Sequence, residues 1–278
     1  MTGCHFVYLS LLVYMSIGKF TNASEPLSKA AFHSQAVRIE KIHSMVAQTL
    51  SIRGGAGVLD PKTLSEVAIW VSISKGSAFA LSPKATYERL YNFLPRSPMV
   101  DLFVRRVGSN YLAFGIAALC LVIKGTSLNT AIGYSTLPYT LEVAKCLLDQ
   151  EPKDLGFAAI GQAFILVTNA FVVYATLSNV SFADTVTKVY VVWLLLNGVF
   201  MTFFPKAALN TWEVKDQSAP NTFMTRIHGF YTLGFGAMVT ALAFLENMDT
   251  MRSTWLYWAA VVFGNIVMML HVAKEFRV

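Results

Sequence analysis

Apolar residues run through this chain in long blocks, not in short alternations with polar ones. A helix that crosses hydrocarbon needs about 20 mostly apolar residues, because lipid offers the backbone no hydrogen-bond partner. Blocks of that order lie at 107–124, 157–177, 185–204, 227–245 and 254–272. Two further stretches are apolar but interrupted. The first, 66–82, carries Lys75, and the second, 128–148, carries Ser135, Pro138, Glu142 and Lys145. Together they predict an all-α, polytopic transmembrane bundle of about seven helices.

An internal repeat supports the two weaker spans. Gly76, Pro83, Lys84, Ala85 and Pro98 recur 122 positions later as Gly198, Pro205, Lys206, Ala207 and Pro220. Arg105, Gly108, Leu112, Phe114 and Gly115 recur 121 positions later as Arg226, Gly229, Leu233, Phe235 and Gly236. One single-residue gap aligns both sets. The expected layout is a first transmembrane repeat at 66–148, a linker at 149–184 holding the helix at 157–177, and a second repeat at 185–278. Four spans separate equivalent positions, so the two three-helix units share one orientation, as parallel repeats do.

The first 65 residues read differently. Phe6–Ile17 is apolar but short, followed by the small residues of Thr21-Asn22-Ala23, so 1–23 reads as a signal peptide, with a signal anchor as the alternative. Residues 24–65 are polar, rich in Ala, Ser, Lys and Arg, and read as a luminal tail. A signal followed by such a segment, with Ala31-Phe32 and Arg53-Gly54-Gly55-Ala56, also resembles the two-part plastid precursors of algae with complex plastids. That resemblance implies a plastid membrane as the alternative location to the secretory pathway.

Composition agrees with membrane residence. Charged residues make up 14% of the chain against roughly 25% in soluble domains, and mean hydropathy is +0.51. The net charge of +6 belongs to loop anchors facing anionic lipid, not to a nucleic-acid surface, since no exposed basic helix interleaves bases with aromatics. The charges are also sided. Lys84, Arg89, Arg96, Arg105, Arg106, Lys145, Lys153, Lys206, Lys215, Arg226, Lys274 and Arg277 fall on one side of seven alternating spans, and Lys124, Lys188 and Arg252 on the other. The positive-inside rule then places the C-terminus in the cytosol and the N-terminus outside or in a lumen. Cys120 and Cys146 come at opposite faces, too far apart to pair. The sequon Asn179-Val180-Ser181 lies on the outer side, hard against the membrane.

Polar groups at membrane depth are the candidate chemistry, because an ionisable side chain there is costly. Lys75, Asn197, Asn169 and Asn265 are the candidates for lining a cavity, Lys75 and Asn197 being equivalent in the repeat; Gln162, His228 and Glu142 are the other polar groups at depth. Glu142 and Lys145 are expected to form a surface pair near the inner end of their span. Arg105 and Arg226 are candidate clamps. Gly108 and Gly229 are candidates for close packing or a hinge, and Pro83 and Pro205 are natural helix stops. There is no phosphate loop, HExxH, GxSxG or GxGxxG, and no metal spacing. The chain therefore predicts no cofactor, no metal and no catalytic set, and it does not read as an enzyme.

The three-plus-one-plus-three plan with an outer N-terminus, and the run Leu81-Ser82-Pro83 beside Thr86, resemble SWEET-type sugar transporters. The likeness is one of architecture and carries no site residues across. The leading expectation is a multi-pass membrane protein that moves or gates a small solute where its two repeats meet. The alternative is a structural or assembly subunit of a membrane complex. Expected partners are the bilayer itself and other membrane proteins or further copies of the chain.

Overall fold

The computed structural model describes residues 61–90 and 94–245, with the isolated positions Asp249, Arg252 and Ala259. The expected signal peptide, the last predicted span at 254–272 and Asn265 lie outside the described residues. Among the described residues the protein is all-helical. The helices are α1 (Pro61–Leu81), α2 (Pro83–Leu90), α3 (Pro98–Ala118), α4 (Leu128–Leu148), α5 (Glu151–Leu155), α6 (Ala159–Leu177), α7 (Ala183–Phe203), α8 (Pro205–Thr211) and α9 (Ala219–Phe244).

Helix starts are written into the sequence. Ser97 accepts a hydrogen bond from the Val100 amide at 3.2 Å, Pro98 follows it, and Asp101 adds a negative charge to the first turn of α3. Ser127 caps α4 in the same way through Thr130. Pro83 and Pro205 stop the helices before them and also open the short helices α2 and α8. Three predicted starts are corrected. Helix α1 begins at Pro61, inside the expected polar segment, α3 begins at Pro98, well before 107, because the Ser97-Pro98 cap starts the helix there, and α9 begins at Ala219, well before 227, with Pro220 in its first turn. α3 then runs on through a π-helical turn at Leu119–Ile123.

Among the described residues, four helices are long and apolar enough to cross a membrane: Pro98–Ile123, Ala159–Leu177, Ala183–Phe203 and Ala219–Phe244. In α1 the apolar part is the shorter Ala68–Leu81. This is the composition of a membrane protein. α3 and α9 form the buried centre and touch each other; α1 packs on α3, α7 on α9, and α4 bridges α3 and α6. α6 and α7 turn Ile160, Phe164, Val167, Phe171, Val189 and Leu196 outward. Such a surface suits lipid.

Helix crossings are close where glycine sits. A Cβ on Gly76 would lie 2.6 Å from the Leu112 amide nitrogen, and one on Gly198 would lie 2.4 Å from both N and Cα of Leu233. Gly108 meets Phe79 and Ala80, and Gly229 meets Met201 and Thr202, each with an approach of 2.6 Å. Without a side chain between them the backbones of α1/α3 and α7/α9 come into direct contact, the usual route to tight packing in lipid.

Candidate functional site

Two polar layers lie one helical turn apart on α3 and α4. The lower layer is ionic. Arg106 is buried, donates to Gln162 Oε1 of α6 at 2.5 Å, and brings its Nε to 3.4 Å from Glu142 Oε2 of α4. Arg105 bonds Glu151 of α5 and lies 3.8 Å from the other Glu142 oxygen. Neither Glu142 oxygen accepts a hydrogen bond among the described residues. Two guanidiniums and two carboxylates thus balance in charge and tie four helices together. The expected surface pair of Glu142 with Lys145 is corrected. Glu142 turns inward to the arginines, while Lys145 pairs with Asp149 one turn on.

The upper layer surrounds a cavity of about 60 Å³, several times what one water needs. α3 contributes Asn110 and α4 contributes Ser135, Thr136 and Tyr139. α7 contributes Tyr190, Trp193 and Asn197, and α9 contributes His228, Thr232 and Phe235. Trp212 also lines the cavity, and its position is set by backbone bonds. The Ala158 amide donates to Trp212 O at 3.0 Å, and the Lys215 amide to Gly156 O at 3.4 Å, clipping the α5–α6 turn to the α8–α9 connector. Gly156 has φ of +69°, a left-handed turn that suits glycine.

The hydrogen-bond network assigns the side chains. Thr232 Oγ1 donates to the His228 carbonyl at 2.9 Å, so it must accept from its other neighbour, Asn110 Nδ2, also at 2.9 Å. The second amide hydrogen of Asn110 reaches His228 Nδ1 at 3.2 Å. Nδ1 is then the acceptor, and the imidazole proton rests on Nε2. Tyr139 stacks on the His228 ring, with centroids 5.9 Å apart and planes within 13°. Asn197 donates to the Trp193 carbonyl at 2.9 Å. Asn110 spends both amide hydrogens within the protein, and Asn197 spends one. Asn110 Oδ1 and Asn197 Oδ1 are left with no donor among the described residues.

The candidate residues therefore divide. Asn197 lines the cavity. Asn169 lies fully buried behind it and accepts from Tyr190 Oη at 3.3 Å. Lys75 is placed elsewhere: its ammonium bonds Tyr111 Oη at 2.7 Å and lies 4.2 Å from the Tyr111 ring centre and 5.4 Å from that of Phe79. Arg105 belongs to the ionic layer. Arg226, at the matching position of α9, is half-buried and engaged in a contact of its own. Gly108 and Gly229 are at the helix crossings, and Pro83 and Pro205 at the helix starts. Sequence reasoning missed Arg106, Asn110 and Tyr139. Cys120 and Cys146 are both free thiols, and among the described residues no cluster of His, Cys, Asp and Glu could hold a metal.

No family model, curated protein or solved structure matches the chain.

Proposed function

We propose that the chain is a two-repeat membrane protein that binds a small polar solute between its halves as a step in moving or gating it. The observation that carries this reading is the cavity, which draws Asn110 and Tyr139 from the first half and Asn197 and His228 from the second. No described group donates to the amide oxygens of two of its lining residues, Asn110 and Asn197. The crossing glycines support the duplication. Gly76 meets Leu112 as Gly198 meets Leu233, and Gly108 meets Phe79 and Ala80 as Gly229 meets Met201 and Thr202. Each pair of contacts keeps the offsets of the sequence repeat, 122 for α1 to α7 and 121 for α3 to α9.

Cysteine accessibility tests it. In a chain stripped of its three cysteines, single cysteines replace Asn197, Ser135 and Lys75, and a membrane-impermeant thiol reagent is applied from each side in turn. Labelling at 197 and 135 with protection at 75 is the expected pattern. Protection of 197 and 135 from both sides would count against solute entry. The second reading, a structural subunit, would then stand, because the ionic layer binds four helices together without needing any solute.

A further inference from the structure

Four positions of the cavity lining answer, through the repeat, to bulkier residues around Lys75. The repeat pairs Lys75 with Asn197, Phe79 with Met201, Tyr111 with Thr232, and Tyr231 with Asn110. Around Lys75 the large members fill their space. The Lys75 ammonium sits against Tyr111 and Phe79, and the Tyr111 and Tyr231 rings lie 4.6 Å apart. Their counterparts, Asn197, Met201 and Thr232 of the second half and Asn110 of the first, line the cavity. At these four positions a lysine, two tyrosines and a phenylalanine give way to two asparagines, a threonine and a methionine.

We infer that this cavity is a receptor for a small primary amine, whose ammonium takes the place that the tethered Lys75 ammonium fills in the first half. The inference rests on the two-repeat reading above. The groups offered suit that head. Asn110, more than nine-tenths buried, and Asn197 line the cavity, and no described group donates to their amide oxygens. Tyr139, Trp193 and Trp212 supply aromatic surface, which attracts cations through the ring quadrupole. Arg106 lies one turn below, but its charge is met by Glu142. An ammonium or methylammonium ion matches the small volume; a sugar does not.

The test is thermal unfolding of the purified full chain in detergent micelles. Methylammonium chloride is titrated against sodium chloride and tetramethylammonium chloride at equal ionic strength, and against neutral acetamide. A ligand that binds only the folded state raises Tm with concentration. The expected result is a saturable rise with methylammonium alone. That rise should vanish in Asn197→Leu and in the double variant Asn197→Lys with Thr232→Tyr, which supplies its own tethered ammonium. Lys75→Ala provides an independent arm: its Tm should fall, and n-propylammonium, which restores the missing stem and head, should recover it. A rise with acetamide but not with methylammonium overturns the amine assignment and leaves the solute-cavity reading intact. A methylammonium response that survives in Asn197→Leu places binding elsewhere and also overturns it. If no solute has an effect the inference falls, and thiol labelling at position 197 decides whether the underlying reading falls with it.

Discussion

Replacing Gly198 by alanine should destabilise the bundle, while the same change at Gly161 should not. At Gly198 the new Cβ would lie 2.4 Å from the N and Cα of Leu233, about 1 Å short of the 3.4 Å at which ordinary contact begins. The obstacle is backbone, so no rotamer change can relieve it, and α7 must withdraw from α9. A gap of roughly 0.5–1 Å forfeits a quarter to a half of each pairwise dispersion well along the crossing. Overpacking of this kind costs about 1–3 kcal/mol. Against that, alanine is favoured over glycine in a helix by up to about 1 kcal/mol. The net expectation for Gly198→Ala is a loss of about 1–2 kcal/mol. Gly161 on α6 has nothing within 4 Å of its would-be Cβ, so Gly161→Ala keeps only the helical gain of roughly 0.5–1 kcal/mol. Thermal unfolding of both variants in one detergent gives the comparison. A Gly198→Ala variant as stable as Gly161→Ala would refute the close crossing of α7 and α9. Gly76→Ala, facing the Leu112 amide at 2.6 Å, should repeat the loss in the first half.

Other contacts give sharper contrasts. Glu142→Gln strands the buried Arg106 and should cost about 3–5 kcal/mol, while Arg106→Met combined with Glu142→Leu should recover most of it, as measured by denaturant unfolding in micelles. Tyr111→Phe removes the hydroxyl that holds Lys75 but keeps the ring beneath its ammonium; a loss of about 1.5–3 kcal/mol is expected, seen as a fall in Tm. Ser97→Ala uncaps α3 for about 1 kcal/mol, and a Ser97→Asp control should hold its Tm near the parent value.

The six long described helices were legible in the sequence and the short α2, α5 and α8 were not; α4 has the predicted bounds, Leu128–Leu148. The start of α3 was not, because the search followed apolar runs and passed over the Ser97-Pro98 cap. Helix rotation was a second blind spot. Spacing places Glu142 and Lys145 on neighbouring positions of one helix face, yet it cannot say which neighbour each meets. The structure turns Glu142 to Arg106 and leaves Lys145 to Asp149. The repeat itself misdirected attention, since it picked out Arg105 because Arg226 matches it. The fully buried Arg106 is paired by the repeat with Ile227, and Asn110 with Tyr231. The matched glycines lie at helix crossings, while Arg106 and Asn110 lie at unmatched positions.

The same logic explains why the interrupted helices deserve more notice than the clean ones. Hydropathy averages a helix around its whole circumference, but in a bundle the two sides face different solvents. On α4, Leu141 and Leu148 point outward, while Ser135, Thr136 and Glu142 are buried. α1 behaves alike, with Trp70 and Leu81 exposed and Ser72 buried. Polar groups on such helices meet protein, where they can be paired, and so they lower the average without exposing charge to lipid. α6 and α7 bury less of their spans than α3 and α9 do. α4 is absent from the four long apolar helices, yet it supplies Tyr139 to the cavity and Glu142 to the ion pair. In a chain of this kind, the helix that least resembles a membrane span is the first place to look for the site.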